Sequence, residues 1–171
     1  MRILDPKYET LAPEDLQQLQ LERLQALLVR LKRSVRRHRE LLGSTRLERL
    51  ADLGQLPLTK PEDLADSFPY GMFALPLREV IRLHSVVGPE GRQLIAGHTP
   101  NDLRRWGRLV ARQLVAAGVT ANDVIQISLG SRSSRSFSGN VLGAETIEAS
   151  VIAEDPYHVD YQLAVLQNYR P

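Results

Sequence analysis

Gly88 and Gly91 lie three residues apart in the stretch His84-Ser85-Val86-Val87-Gly88-Pro89-Glu90-Gly91-Arg92-Gln93-Leu94-Ile95-Ala96-Gly97-His98-Thr99. Val80, Ile81, Leu83, Val86 and Val87 lead into the pair, and Leu94 and Ile95 lead out. A glycine turn between two strands can aim several backbone N–H groups at one spot and cradle an anion there. Phosphate binding is the sharpest chemistry this stretch could do. The plainer reading is a β-hairpin, in which Pro89 supplies the φ that a type I turn needs and glycine closes it. The side chains argue against strong phosphate binding. Val86 and Val87 offer no hydroxyl to a phosphate oxygen. Pro89 removes a backbone donor, and Glu90 would set a negative charge beside a polyphosphate. Arg92 alone keeps a useful charge. The loop scaffold is expected to survive without its chemistry.

Other chemistry-bearing residues give weaker signals. His38, His84, His98 and His158 show no metal-ligand spacing, and cysteine is absent, which excludes disulfides and thiolate metal sites. Leu129-Gly130-Ser131-Arg132-Ser133-Ser134-Arg135-Ser136-Phe137-Ser138-Gly139 could receive an anion but reads as a solvated polar loop. It holds no Gly-x-Ser-x-Gly elbow, so serine hydrolase chemistry has no support. Lys32, Arg33, Arg36, Arg37, His38 and Arg39 form a basic run. Cations there complement the negative end of a helix dipole. No aromatic residue interleaves them as single-strand binders require, so a solvated face is expected and nucleic acid is not an expected partner.

These positions depend on the elements around them. Residues from Tyr8 to about Ala12 read as an extended lead-in. Pro13, Glu14 and Asp15 suit a helix start. Leu21, Leu24, Leu28, Leu31, Val35 and Leu42 keep helical spacing and predict one long helix to about Leu42, stopped by Gly43. A short helix is predicted around Leu47–Leu53. Thr59 reads as the cap of another, with Pro61 in its first turn. Pro76 to Glu79 lead into the first hairpin strand. Leu103, Trp106, Leu109, Val110 and Leu114 mark the apolar face of a helix from about Asn101 to Ala117, ended by Gly118. Asp123 to Ser128 reads as a parallel strand, Gly143 to Ile152 as helix end, turn and strand, and Tyr161 to Tyr169 as a last helix.

A length of 171 residues fits one domain with a real core. The hydrophobic and charged fractions, 43% and 25%, are those of a soluble globular protein. A net charge of +2 is only mildly basic. No apolar run approaches the roughly 20 residues of a membrane helix, and the N-terminus lacks a signal-peptide core. A cytoplasmic location without a membrane partner is therefore expected.

The stretch around Gly88 resembles the phosphate loop of the phenylacetate–CoA ligase family of AMP-forming, adenylate-forming enzymes. That family typically reads His-Ala-Ser-Ser-Gly-Thr-Thr-Gly-Lys-Pro-Thr, then Gly-Tyr-Thr. The match falls without a gap at His84, Gly88, Gly91, Gly97 and Thr99. The family's two serines are Val86 and Val87, its two threonines Pro89 and Glu90, its lysine Arg92 and the next proline Gln93. Leu56-Pro57-Leu58-Thr59-Lys60-Pro61-Glu62-Asp63-Leu64 is similar to the family's Leu-Pro-Phe-Thr-Thr-Lys-Asp-Asp-Leu. Phe68-Pro69-Tyr70-Gly71-Met72-Phe73-Ala74 is similar to Tyr-Pro-Phe-Gly-Leu-Phe-Ala and reads as a buried aromatic turn against the sheet. Gly143-Ala144-Glu145-Thr146-Ile147-Glu148-Ala149-Ser150-Val151-Ile152 is similar to Gly-Ala-Glu-Arg-Leu-Gly-Ala-Thr-Val-Ile. Ser34-Val35-Arg36-Arg37-His38 departs from a Val-Pro-Phe-Tyr-like segment, and residues 129–139 replace an aromatic–glycine stretch beside the acyl pocket.

The resemblance runs from about Thr10 to Pro171 and covers less than half of a typical family member. It implies an α/β fold: a helical N-terminal arm, residues 1–54, then part of a doubly wound, mostly parallel sheet, residues 55–171, as one compact unit. Val86, Val87, Gly88, Pro89, Glu90, Gly91 and Arg92 are the degenerate phosphate-loop positions; no catalytic residue and no metal ligand is expected. The family's later adenine and magnesium motif, ribose-binding aspartate and catalytic lysine have no counterpart, so the chain is not expected to be an enzyme on its own. The leading expectation is a truncated, non-catalytic homologue acting as an interaction or assembly module, with no cofactor. The alternative is the N-terminal half of a split ATP-dependent acyl-CoA ligase, active only with a second chain; ATP and Mg are expected only under this alternative. The expected partner is another copy of the chain or a second protein that supplies the missing half.

Overall fold

The computed structural model describes residues 2–88, 91–129, 135–154 and 156–171. It divides into two units, Thr10–Gly97 and Met1–Glu9 with His98–Pro171.

In the unit Thr10–Gly97, helix α2 (Pro13–Ser34) opens with proline, Glu14 and Asp15 at its positive end. The predicted long helix does not continue to Leu42. It breaks at Val35, which is extended (φ −117°, ψ 110°), and α3 (Arg36–Leu42) follows. Val35 is fully buried. The Arg39 side chain turns back and donates to the carbonyls of Lys32 and Arg33, at 2.8 Å each. Those carbonyls belong to the end of α2, where helical partners run out. Leu28, Leu42 and Leu47 form the core here, with Leu21, Leu24, Leu31 and Leu56 packed against it.

The helix predicted around Leu47–Leu53 is a 3-10 helix at Leu50–Gln55. Helix α4 (Pro61–Asp66) is capped at Lys60 and not at Thr59: the Lys60 N–H donates to the Asp63 carboxylate at 2.8 Å. A 3-10 turn at Leu77–Glu79 leads to β1 (Arg82–Val87) and β2 (Gln93–His98), which pair as a two-stranded sheet. A Cβ on Gly97 would lie 2.6 Å from the Phe73 ring, so Phe73 packs directly on β2. Phe68 and Tyr70 remain exposed, so the aromatic turn is buried only in part.

In the other unit, the expected lead-in contains one helical turn, α1 (Pro6–Glu9). The carboxylates of Asp5, just before it, and Glu9, at its end, pair with Arg108 and Arg112 of α5 (Pro100–Ala116) at 2.6 and 3.2 Å. Helix α6 (Arg135–Thr146) packs along α5; it begins inside the stretch read as a polar loop, and Gly130 to Ser134 lie outside the described residues. Strands β3 (Val124–Ile127) and β4 (Ser150–Ala153) pair in parallel, with Val124 opposite Ser150 and Ile127 opposite Ala153. Helix α7 (Val159–Tyr169) buries Val165. The fold is mixed α/β with a small parallel sheet. Among the described residues no helix is long and apolar enough to cross a membrane.

Between α6 and β4, Glu148 holds φ 61°. It stands where the resembled family carries glycine. A left-handed conformation costs a residue with a Cβ about 1–2 kcal/mol. Glu148→Gly is therefore expected to stabilise the protein by about 1 kcal/mol, read as a rise in the urea midpoint at unchanged slope.

Candidate phosphate loop

Val86 and Val87 end β1, at 37% and 73% exposure, and offer only methyl groups at the surface. The Gly88 N–H, which a phosphate would need, donates to the Arg92 carbonyl at 2.8 Å. A Cβ on Gly88 would lie 2.8 Å from Leu94 Cδ1, so a larger residue there would have to displace the leucine tip. Gly91 has φ 74° and makes the turn that its residue type allows. Pro89 and Glu90 lie outside the described residues.

The Arg92 guanidinium reaches the Asp66 carboxylate of α4 at 2.7 Å. The two side chains are 43% and 57% exposed, so water screens the pair and its stabilisation is small, roughly 0–1 kcal/mol. Its chemical effect is larger: the loop's remaining cation faces a carboxylate where an incoming polyphosphate would also repel that carboxylate. Asp66 was not anticipated from the sequence. Partners 26 residues apart leave no periodic signal.

The other matched positions, His84, Gly97 and Thr99, lie on β1, on β2 and at the cap of α5. His84 is half-buried on β1. The His98 ring stacks on Trp106 with centroids 5.6 Å apart. Thr99 caps α5: its N–H and hydroxyl both donate to the Asp102 carboxylate, at 2.9 and 2.8 Å, and its Oγ1 accepts the Asp102 N–H. Burial pushes the Asp102 carboxyl up, but the Thr99 hydrogen bonds, with His98 and Arg105 nearby, outweigh it and hold the group below its ordinary value. Among the described residues no group of three or more His, Asp or Glu could hold a metal ion.

No protein-family model matches the chain. Curated proteins do. Phenylacetate-coenzyme A ligase of Pseudomonas putida is 34% identical over 174 residues, covering 99% of this chain and 39% of that protein. The enzyme of that name from Thermus thermophilus is 34% identical, covering 97% of this chain and 38% of its own. The Escherichia coli one is 32% identical, covering 98% and 39%. The chain is a partial homologue of phenylacetate–coenzyme A ligase. It spans about two fifths of the length of these relatives. Solved structures of 2-hydroxyisobutyryl-CoA ligase agree on the fold. One, in complex with 2-HIB-AMP and CoA in the thioesterification state, superposes with a TM-score of 0.86 at 23% identity, covering 97% of this chain and 38% of that one. Another, in the postadenylation state with 2-HIB-AMP, gives 0.82 at 22% identity, covering 94% and 36%. The shared part is the N-terminal portion of the adenylate-forming CoA ligase fold.

Proposed function

We propose that this chain is a non-catalytic relative of phenylacetate–coenzyme A ligase that acts as an interaction or assembly module and takes no ATP. The loop carries this reading. Its exposed strand end presents Val86 and Val87 where a hydroxyl would be needed, the Gly88 N–H is already used by Arg92, and the Arg92 charge is already met by Asp66. What the chain keeps is a scaffold and its surfaces. On α7, Val159, Leu163, Leu166 and Tyr169 follow one another at helical spacing of three and four and are between 49% and 62% exposed. Large contiguous apolar patches rarely stay bare on soluble monomers. This supports association with a second copy or another protein. A cytoplasmic setting fits a chain without cysteine.

The alternative, the N-terminal half of a split acyl-CoA ligase, draws on the identity of 31–34% spread over 95–99% of the chain. Under that reading the chain would still take ATP and Mg, and only turnover would need a second chain. Calorimetry separates the two readings. The chain alone is expected to show no saturation with millimolar Mg-ATP; saturation at micromolar nucleotide would overturn the non-catalytic reading. Light scattering at low micromolar protein is expected to give a mass above the 19.2 kDa of one chain. A monomer that binds no hydrophobic dye would remove the assembly role.

The basic run is largely satisfied within the chain. Arg36 pairs with Glu40, Arg37 with Asp63, and Arg39 with two carbonyls. Mobility shifts with random DNA and RNA at physiological salt are accordingly expected to be negative. A salt-dependent shift, abolished by Arg36→Glu with Arg37→Glu, would establish a nucleic-acid surface instead.

A further inference from the structure

In the unit Thr10–Gly97, α2 and the segment that follows α3 line an open cavity of about 630 Å³. Its floor is apolar: Leu28 and Val29 from α2, and Leu47 from the facing segment. Leu28 and Leu47 are core residues, whereas Val29 is 68% exposed and gives its methyl groups to water. The rim is cationic, with Lys32 and Arg33 on α2 and Arg46 opposite. Among the described residues no carboxylate lines it.

Two hydrogen bonds hold the walls together. Gln25 Nε2 donates to the Leu47 carbonyl at 2.7 Å, and Lys32 Nζ donates to the Thr45 carbonyl at 2.5 Å. Gln25 and Lys32 stand two helical turns apart on one face of α2, with the apolar floor between them. Lys32 is thus fixed in place while two of its three donors are still to be placed. Neither Arg33 nor Arg46 forms an ion pair with another described residue, although Arg36 and Arg37 beside them do. Positive charge at the mouth of this cavity is therefore left uncompensated, over an apolar base, in a volume typical of small-molecule sites.

We propose that this cavity binds a small amphiphilic anion, a carboxylate on an apolar tail. The tail lies on Leu28, Val29 and Leu47, and the carboxylate lies among Lys32, Arg33 and Arg46. Burial of the tail removes apolar surface from water. The carboxylate takes charge-assisted hydrogen bonds from Arg33, from Arg46 and from the donors that Lys32 does not give to Thr45. Neither half suffices alone: the floor is too open to retain an uncharged alkyl chain tightly, and exposed cations without a floor hold a lone carboxylate weakly. The site uses none of the phosphate-loop residues and does not depend on how that loop is read.

The test is a titration of octanoate into the isotopically labelled full chain, followed by amide chemical shifts. Saturable shifts at Leu28, Val29, Thr45 and Leu47 are expected at low-millimolar ligand or below. 1-Octanol, with the same tail and no charge, is expected to bind at least about tenfold more weakly. Arg33→Glu with Arg46→Glu is expected to weaken octanoate by at least about tenfold while thermal unfolding is unchanged, since both side chains are exposed. Shifts confined to other residues, equal binding of octanol, or unchanged binding by the double variant would each overturn the proposal, as would no saturation at all.

Discussion

Gly143→Val is expected to lower the unfolding free energy by about 3 kcal/mol. Gly143 sits on α6 where the helix meets α5. A Cβ there would lie 2.5 Å from Val110 Cγ1, 2.7 Å from Val110 Cβ and 3.1 Å from the Ala111 nitrogen. A side-chain tip could swing aside; a Cβ and a backbone nitrogen cannot. One turn earlier, Gly139 meets the Trp106 ring in the same way, and on α5 Gly107 faces the Leu142 carbonyl and Thr146 Oγ1. Small residues on both helices let them approach closely, and this brings Ala111 and Ala144 to full burial. Valine forces the helices apart along the whole contact. Its better helix propensity returns only about 0.4 kcal/mol. Gly54→Ala is the control: a Cβ there meets nothing within 4 Å, and the change is expected to stay within about 0.5 kcal/mol. Urea unfolding followed at Trp106, the one tryptophan in the chain, measures both. A loss below about 1 kcal/mol for Gly143→Val would mean that the helices are not closely packed.

The sequence was most legible where one period runs undisturbed. Leu103, Trp106, Leu109, Val110 and Leu114 repeat over a helix of 17 residues, and its ends fell within one residue of expectation. Val124 to Ile127 and Ser150 to Ala153 read as strands because short apolar runs there are bounded by turns. The break at Val35 was invisible because the leucine spacing stays in phase across it. What breaks the helix there is a tertiary event, the burial of Val35 and the reach of Arg39 back to the α2 carbonyls. The α4 cap was misplaced by one residue, since the decisive donor is a backbone N–H of Lys60 and not a threonine hydroxyl. At the candidate site the turn itself was legible, because glycine spacing reports backbone conformation directly. The Arg92–Asp66 pair was not, because it depends on how the turn before β2 and α4 come together. The cavity beside Lys32 was missed for the same reason: Arg46 and Leu47 carry no motif until Gln25 and Lys32 draw their segment over α2.

Leu47→Ala is expected to cost about 3 kcal/mol, whereas Val29→Ala, in the same cavity wall, is expected to cost less than about 0.5 kcal/mol. Leu47 is 3% exposed and completes a cluster with Leu28 and Leu42. Truncation removes its buried methyl groups and leaves a void, and the surrounding leucines fill such a void only in part. The hydrogen bond from Gln25 goes to the Leu47 backbone carbonyl, so the substitution leaves it intact and the loss reports packing alone. Val29 is 68% exposed, and its truncation opens no void. Both residues lie under the proposed ligand tail, so the pair separates folding from binding. Val29→Ala should weaken octanoate while stability holds. Leu47→Ala should lower the urea midpoint even without ligand. Equal stability of the two variants would mean that the segment around Thr45 is not part of the core, and that the cavity has no fixed far wall.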